Sequence, residues 1–212
     1  MPSYTLFDGV YLLPTPAGAF HAIASPEADK SQRFLRQLLV RESTPQLQAE
    51  TLQELMQQDD EEKNLELLHL CQKLGWVQGI DQAIQAPQGT LEKILPELLQ
   101  GISEKGKVLL ADSQGFYLAS CGFPHEVAEE LSALSAEIAT VHARRSGLLS
   151  KNLGVSSHAW SVVDAAGNSQ VGFWPVYIGN NRFVVVIAGV PHFNQPEFVS
   201  LVWALSIRYA KG

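Results

Sequence analysis

Residues 107–122 read Lys-Val-Leu-Leu-Ala-Asp-Ser-Gln-Gly-Phe-Tyr-Leu-Ala-Ser-Cys-Gly. Two apolar runs flank the four residues Asp112, Ser113, Gln114 and Gly115. Asp at the first position of a type I turn and Gly at the last are the residues that turn selects. The stretch therefore predicts a β-hairpin, and the rest of the C-terminal half arranges itself around it. Upstream, Thr90 is placed to cap a helix carrying Leu91, Ile94, Leu95, Leu98, Leu99 and Ile102. Pro96 lies inside that pattern and predicts a kink or a restart near Leu95.

Downstream, Phe123-Pro124 leads into a long helix predicted over about 125–150. Val127, Leu131, Leu134, Ile138, Val141 and Leu148 form one apolar stripe. A second stripe is small: Ala128, Ser132, Ser135, Ala136, Ala139 and Ala143. Small side chains let another helix or a sheet come close. Arg144 and Arg145 fall in the last turns, where cations suit the helix dipole. Three strands are predicted next, over 157–164, 169–178 and 182–190. The turns between them, 164–168 and 179–181, are rich in residues that tolerate positive φ. Residues 183–188 are apolar on both faces, the mark of a central strand. Trp174-Pro175 predicts a bulge or bend in the strand before it. A closing helix over 195–211 presents Phe198, Leu201, Val202, Leu205 and Tyr209.

The first half reads differently. Runs at 10–15 and 19–25, joined by Pro16-Ala17-Gly18, predict a hairpin partly at a sheet edge. A helix follows over 29–41. Thr44-Pro45 suits the start of a second helix with Leu47, Leu52, Leu55 and Met56 on its stripe. A third runs over about 60–74, with Asp59, Asp60, Glu61 and Glu62 at its positive end and Gly75 as its stop. Its expected buried face is Leu65, Leu67, Leu68, Leu70, Cys71 and Leu74. Residues 76–80 predict a short return strand. This is a small, weakly winged-helix-like unit. Residues 85–89 have linker composition, so the chain divides into 1–86 and 87–212.

Of 212 residues, 46% are apolar and 17% charged, the composition of a globular chain. No apolar run reaches the roughly 18 residues of a spanning helix, and the start lacks a basic-then-apolar leader signature. Two isolated cysteines, Cys71 and Cys121, with no secretion signal suggest the cytoplasm. The net charge of −7 is uneven: up to Ile84 there are six basic and twelve acidic residues, and nine and ten thereafter. Nucleic acid is therefore not the expected partner. A winged-helix transcription regulator binding DNA, the alternative reading, needs a basic recognition helix. The third helix instead carries Glu61, Glu62 and Glu66 with Lys63 and Lys73.

The order helix–strand–strand–helix–strand–strand–strand–helix, the 107–122 hairpin, the Ala/Leu-rich long helix and Leu153-Gly154 before the third strand together resemble the roadblock / dynein light-chain family. The likeness covers about 90–212. It implies an α+β class: a five-stranded antiparallel sheet with helices, alongside the small N-terminal unit. It also implies a homodimer, with the sheets joined edge to edge through the third strand and the long helices side by side. The expected interface is Ala128, Ser132, Ser135, Ala136, Ala139, Ala143, His158, Trp160 and Val162. Such domains bind proteins, and in bacteria they regulate Ras-like small GTPases. A non-enzymatic regulatory or scaffold protein with no cofactor follows from the resemblance.

No motif argues for catalysis. Residues 101–107 match most of a Walker A loop, but Val108 stands where a Mg²⁺-ligating Ser or Thr belongs, and the loop would leave a helix and enter a strand. The six histidines show no i, i+4 pair, and His69 lies two residues from Cys71, on another helix face. His158 and His192 flank strands of one sheet but lack further metal ligands. Cys121, at the end of an apolar strand, reads as inert packing. Trp174, Tyr177 and Phe193 form a candidate docking patch.

Overall fold

The computed structural model describes residues 4–154 and 159–210. Strand β1 (Tyr11–Pro14) runs directly into helix α1 (Pro16–Ile23), so the second arm of the expected first hairpin is helical. The cause is local. The Thr15 hydroxyl accepts the Gly18 N–H at 3.1 Å, and Pro16 fills a first-turn position where an N–H would go unused. β1 pairs instead with β2 (Val77–Ile80), antiparallel, with Tyr11 opposite Ile80.

Three helices separate them: α2 (Lys30–Leu39), α3 (Ala49–Met56) and α4 (Glu61–Lys73). α2 opens on a full capping box between Asp29 and Gln32. α4 starts on Asp60 and is followed by Gly75 at φ +69°, as its sequence predicts. Its buried face is narrower than expected. Leu68 and Cys71 are enclosed, whereas Leu70 and Leu74 point to solvent. Thr44 does not cap α3, which begins five residues later. It clasps Ile84 from both sides, donating its N–H to the Ile84 carbonyl and accepting the Ile84 N–H on its hydroxyl. Ala86 is buried and donates to Glu42. The stretch with linker composition is thus tied to the first half.

Helix α5 (Leu91–Gln100) is continuous through Pro96. The proline ring is exposed, so the carbonyl it leaves without a donor lies on the solvent side. Thr90 occupies the N-cap, but its side chain accepts no N–H of the helix. The hairpin then forms as its sequence demands: β3 (Val108–Ala111) and β4 (Tyr117–Cys121) are antiparallel. The Asp112 carboxylate accepts the Gln114 and Phe116 N–H groups at 2.8 and 3.0 Å. Gly115 sits at φ +91°, with α6 (His125–Gly147) packed so closely above that a Cβ would lie 3.1 Å from the Ala133 Cα. A π-helical turn, Leu148–Asn152, extends α6.

β5 (Trp160–Val163), β6 (Ser169–Ile178), β7 (Asn181–Ala188) and α7 (Pro196–Tyr209) complete the expected order. The sheet is fully antiparallel, ordered β4-β3-β7-β6-β5. β7 is buried almost along its whole length, as a central strand should be. The bulge expected at Trp174-Pro175 is absent, because β6 pairs with β7 without a shift from Val171 to Ile178. Among the described residues β5 stops opposite Phe173, and the ladder that includes Pro175 is the one to β7.

The fold is layered and belongs to the α+β class. α6 covers one face of the sheet, over β3, β4 and β7. α5 and α7 cover the other, and α1 and α2 pack on the far side of α7. Residues on both sides of the 86/87 boundary share one buried cluster, from Leu12, Phe34 and Leu35 through Leu99 and Ile102 to Phe198 and Leu205. Phe20 meets Phe193 and Phe198 at ring distances of 5.6 and 6.2 Å, and the Trp203 indole donates to the Arg41 carbonyl at 2.8 Å.

Candidate functional site

α6 carries two apolar rows, and they face opposite ways. The small row faces inward. Ala128, Ser132, Ser135 and Ala139 are 0–2% exposed, pressed toward Leu109, Ala111, Phe173, Val184 and Val186 of the sheet. Small side chains let the helix axis approach the β-branched surface, and larger ones would hold it off. The two serines lose nothing by burial: Ser132 Oγ donates to the Ala128 carbonyl and Ser135 Oγ to that of Ser132, both at 2.7 Å. These four positions of the expected dimer interface are thus occupied by the chain's own sheet. Ala136 is half-buried and Ala143 exposed.

The large row faces outward. Val127, Leu134, Val141 and Leu148, seven residues apart, are 39–49% exposed. Leu131 and Ile138 lie beside them, half-buried against the sheet-side cluster. A straight helix carrying apolar residues every seven positions presents a single seam. What distinguishes the rows is the partner: a flat sheet selects the small one.

The helix leads this seam to the free rim of the sheet. Near its start, the Tyr117 hydroxyl and His125 Nδ1 lie 2.6 Å apart, which anchors α6 over β4. Near its end, the Trp160 indole N–H donates to Nδ1 of the buried His142 at 2.9 Å, with the rings edge to face, which anchors it over β5. α6 therefore crosses the sheet from one edge strand to the other. All four residues of β5 are exposed, including Trp160, Val162 and Val163. Among the described residues no strand lies beyond β5, so one side of its backbone is open to pairing. Trp160 and Val162 share a face of the strand, the one that meets α6. Seam and rim thus form a continuous apolar edge. His158 lies outside the described residues.

The candidate patch Trp174, Tyr177 and Phe193 does not stand free. Trp174 packs edge to face on Phe193 at 5.3 Å, and Phe193 meets Phe198 and Phe20. Two of the three residues thus belong to the seam between α1 and α7. Tyr177 is half-buried opposite Arg182; burial raises its phenol pKa, partly offset by that charge.

Elsewhere the chemistry is spare. Cys71 is enclosed, and burial pushes its thiol up to about 11, so it stays an unreactive thiol at neutral pH. Cys121 is the half-exposed cysteine. Gly101 closes α5 and Gly106, at φ +61°, precedes β3, so 101–107 is a helix exit and not a phosphate loop. A cavity of about 680 Å³ lies between α5, α7 and β4. Glu92 and Arg208 are its charged lining residues. Among the described residues no three His, Cys, Asp or Glu side chains gather as a metal site, and no helix is long and apolar enough to cross a membrane.

No protein-family model matches the chain, and no curated protein matches it in sequence. Solved structures do resemble it. A Roadblock/LC7 domain from Streptomyces avermitilis is 15% identical over 57% of this chain and 93% of that one, with a TM-score of 0.35. MglB of Myxococcus xanthus is 15% identical over 58% and 92%, also at 0.35. The gliding protein MglB of Thermus thermophilus is 18% identical over 59% and 95%, again at 0.35.

Proposed function

We propose that this chain is a non-enzymatic regulatory or scaffold protein of the cytoplasm. Residues 87–212 self-associate as a homodimer through the α6 seam and the β5 rim, and present the joined surface to a Ras-like small GTPase or another signalling protein. One observation carries the reading: the large apolar row of α6 is turned to solvent, and β5, whose four residues are exposed, has no partner strand on its outer side among the described residues. Leaving such a surface in water is unfavourable at about 25 cal/mol per Å² of apolar area, which a matching partner surface recovers. A two-fold contact lets the same row meet itself, and it lets β5 pair with its own copy. The roadblock resemblance implies pairing through this same strand, and residues 1–86 then form a docking module of their own.

Light scattering on the purified full chain at tens of micromolar tests the proposal. The expected mass is twice that of the chain, and Leu134→Asp with Val141→Asp reduces it to one without lowering the melting temperature. Capture of small GTPases from an extract of the source cell falls away with the same pair. A wild-type monomer at that concentration, or capture indifferent to the substitutions, removes the proposal.

A further inference from the structure

The first half is strongly acidic, yet half of its basic residues lie on one helix around one groove. Lys30, Arg33 and Arg36 project from α2 at three-residue spacing into a cleft of about 460 Å³ between α2 and the end of α3. The half-buried Met56 and Leu67 are among its apolar lining residues. Gln57, Gln58, Gln37, Leu55 and Ala28 complete the lining, and no carboxylate lines it.

The three cations lack side-chain counter-ions among the described residues. No ion pair within 4 Å involves any of them. Arg36 donates to the Ala22 and Ser25 carbonyls, and Arg33 to that of Ala28. These bonds to neutral carbonyls fix the guanidinium positions. The Asp29 carboxylate acts on Arg36 through space, without an ion pair. Its oxygen is committed to the Ser31 hydroxyl and the Gln32 N–H. Asp59 is held by Gln53, and Asp60 by Lys63. The negative end of α3 also points here, but a helix terminus carries only about half a charge.

We propose that this groove docks an acidic peptide segment of a partner protein, with carboxylates over Lys30, Arg33 and Arg36 and an apolar side chain on Met56 and Leu67. The charge pattern selects the class. A nucleic acid would meet the excess of acidic residues that surrounds the cleft, and a flat bilayer cannot reach into a concavity. A short Asp/Glu strip with one aliphatic anchor satisfies both features, and it passes the surrounding acidity because its charge is confined to the groove. The inference does not depend on the dimer proposal, since the groove lies on the far side of α7 from α6.

Fluorescence anisotropy of the full chain tests it. The probe is a labelled ten-residue peptide with four Glu or Asp around a central Leu, at low salt. Binding in the micromolar range is expected. It should weaken at least about tenfold when the acids become amides, when Leu becomes Ser, or when the chain carries Lys30→Glu with Arg33→Glu. Both substituted residues are exposed, so the variant should melt with the wild type. No binding, or equal binding to the charge-reversed chain, overturns the proposal. So does preferential binding to duplex DNA or to phosphatidylserine vesicles that depends on the same two residues. Mass measurements on the Leu134→Asp, Val141→Asp chain report separately on the dimer.

Discussion

The two faces of the central sheet are covered by opposite strategies. Toward α6 the cover is one helix, seated on alanines and serines, with its bulky residues left outside. Toward α7 the cover is deeper: α5 and α7, then α1 and α2, with aromatic rings filling the seam. One face is sealed within the chain, and the other keeps an apolar row in solvent. Burial alone does not mark a functional surface; the contrast between a sealed face and an unsealed one does.

The widest separation should come from truncating one residue on each side. Phe198→Ala, in the aromatic seam, should cost about 3–5 kcal/mol in urea unfolding, whereas Leu134→Ala on the outer row of α6 should stay within about 0.5 kcal/mol when measured on the monomer. Comparable losses would mean that α6 is sealed after all. Next is the inner row. Ala139→Leu should cost about 1–3 kcal/mol, because the helix must lift from the sheet to admit the added carbons. Differential scanning calorimetry reads that loss directly.

A smaller effect is expected at Gln57, which ends α3 at φ +52°. Gln57→Gly should raise stability by about 0.5–1 kcal/mol by removing left-handed strain, without weakening peptide capture in the neighbouring groove. A fall in melting temperature would contradict it. The least is an acid response of the deep side. Burial lowers the pKa of His21 below its ordinary 6.5 despite the nearby Asp29 charge. The unfolded chain therefore takes up the proton first, and stability declines as pH falls through that range. Burial would raise the pKa of Asp29, but its hydrogen bonds from Ser31 and Gln32 lower it on balance, so its contribution is lost at still lower pH. Hydrogen exchange at pH 7 and 5 should show α1 and α2 loosening before α6, and His21→Gln should flatten that slope.

What was legible in the sequence was what short-range chemistry decides. Asp112 and Gly115 act on residues within four positions, so the hairpin and the element order built around it could be read directly. Thr15-Pro16 carried an equally local helix start, but the apolar run 19–25 has no clear period and was taken for a strand. Thr44 failed for the reverse reason: its partner, Ile84, lies forty residues on, and no local rule points there. The docking edge was half legible. Both rows of α6 are plain in the sequence, but adjacent rows of one helix have the same period, and only the surface beneath decides which turns inward. Likewise the 85–89 stretch looks like a tether until Ala86 is seen buried.

α7 is wrapped by apolar neighbours from both directions, with eight of its fourteen residues buried: Phe198, Val199, Leu201, Val202, Trp203, Ala204, Leu205 and Ser206. It also comes after every element it joins. During translation, neither the N-terminal helices nor the sheet can close its interior until this segment has left the ribosome. Each must wait with a greasy surface bare, and a chain stalled before about residue 196 should be a client of chaperones and not a foldable half.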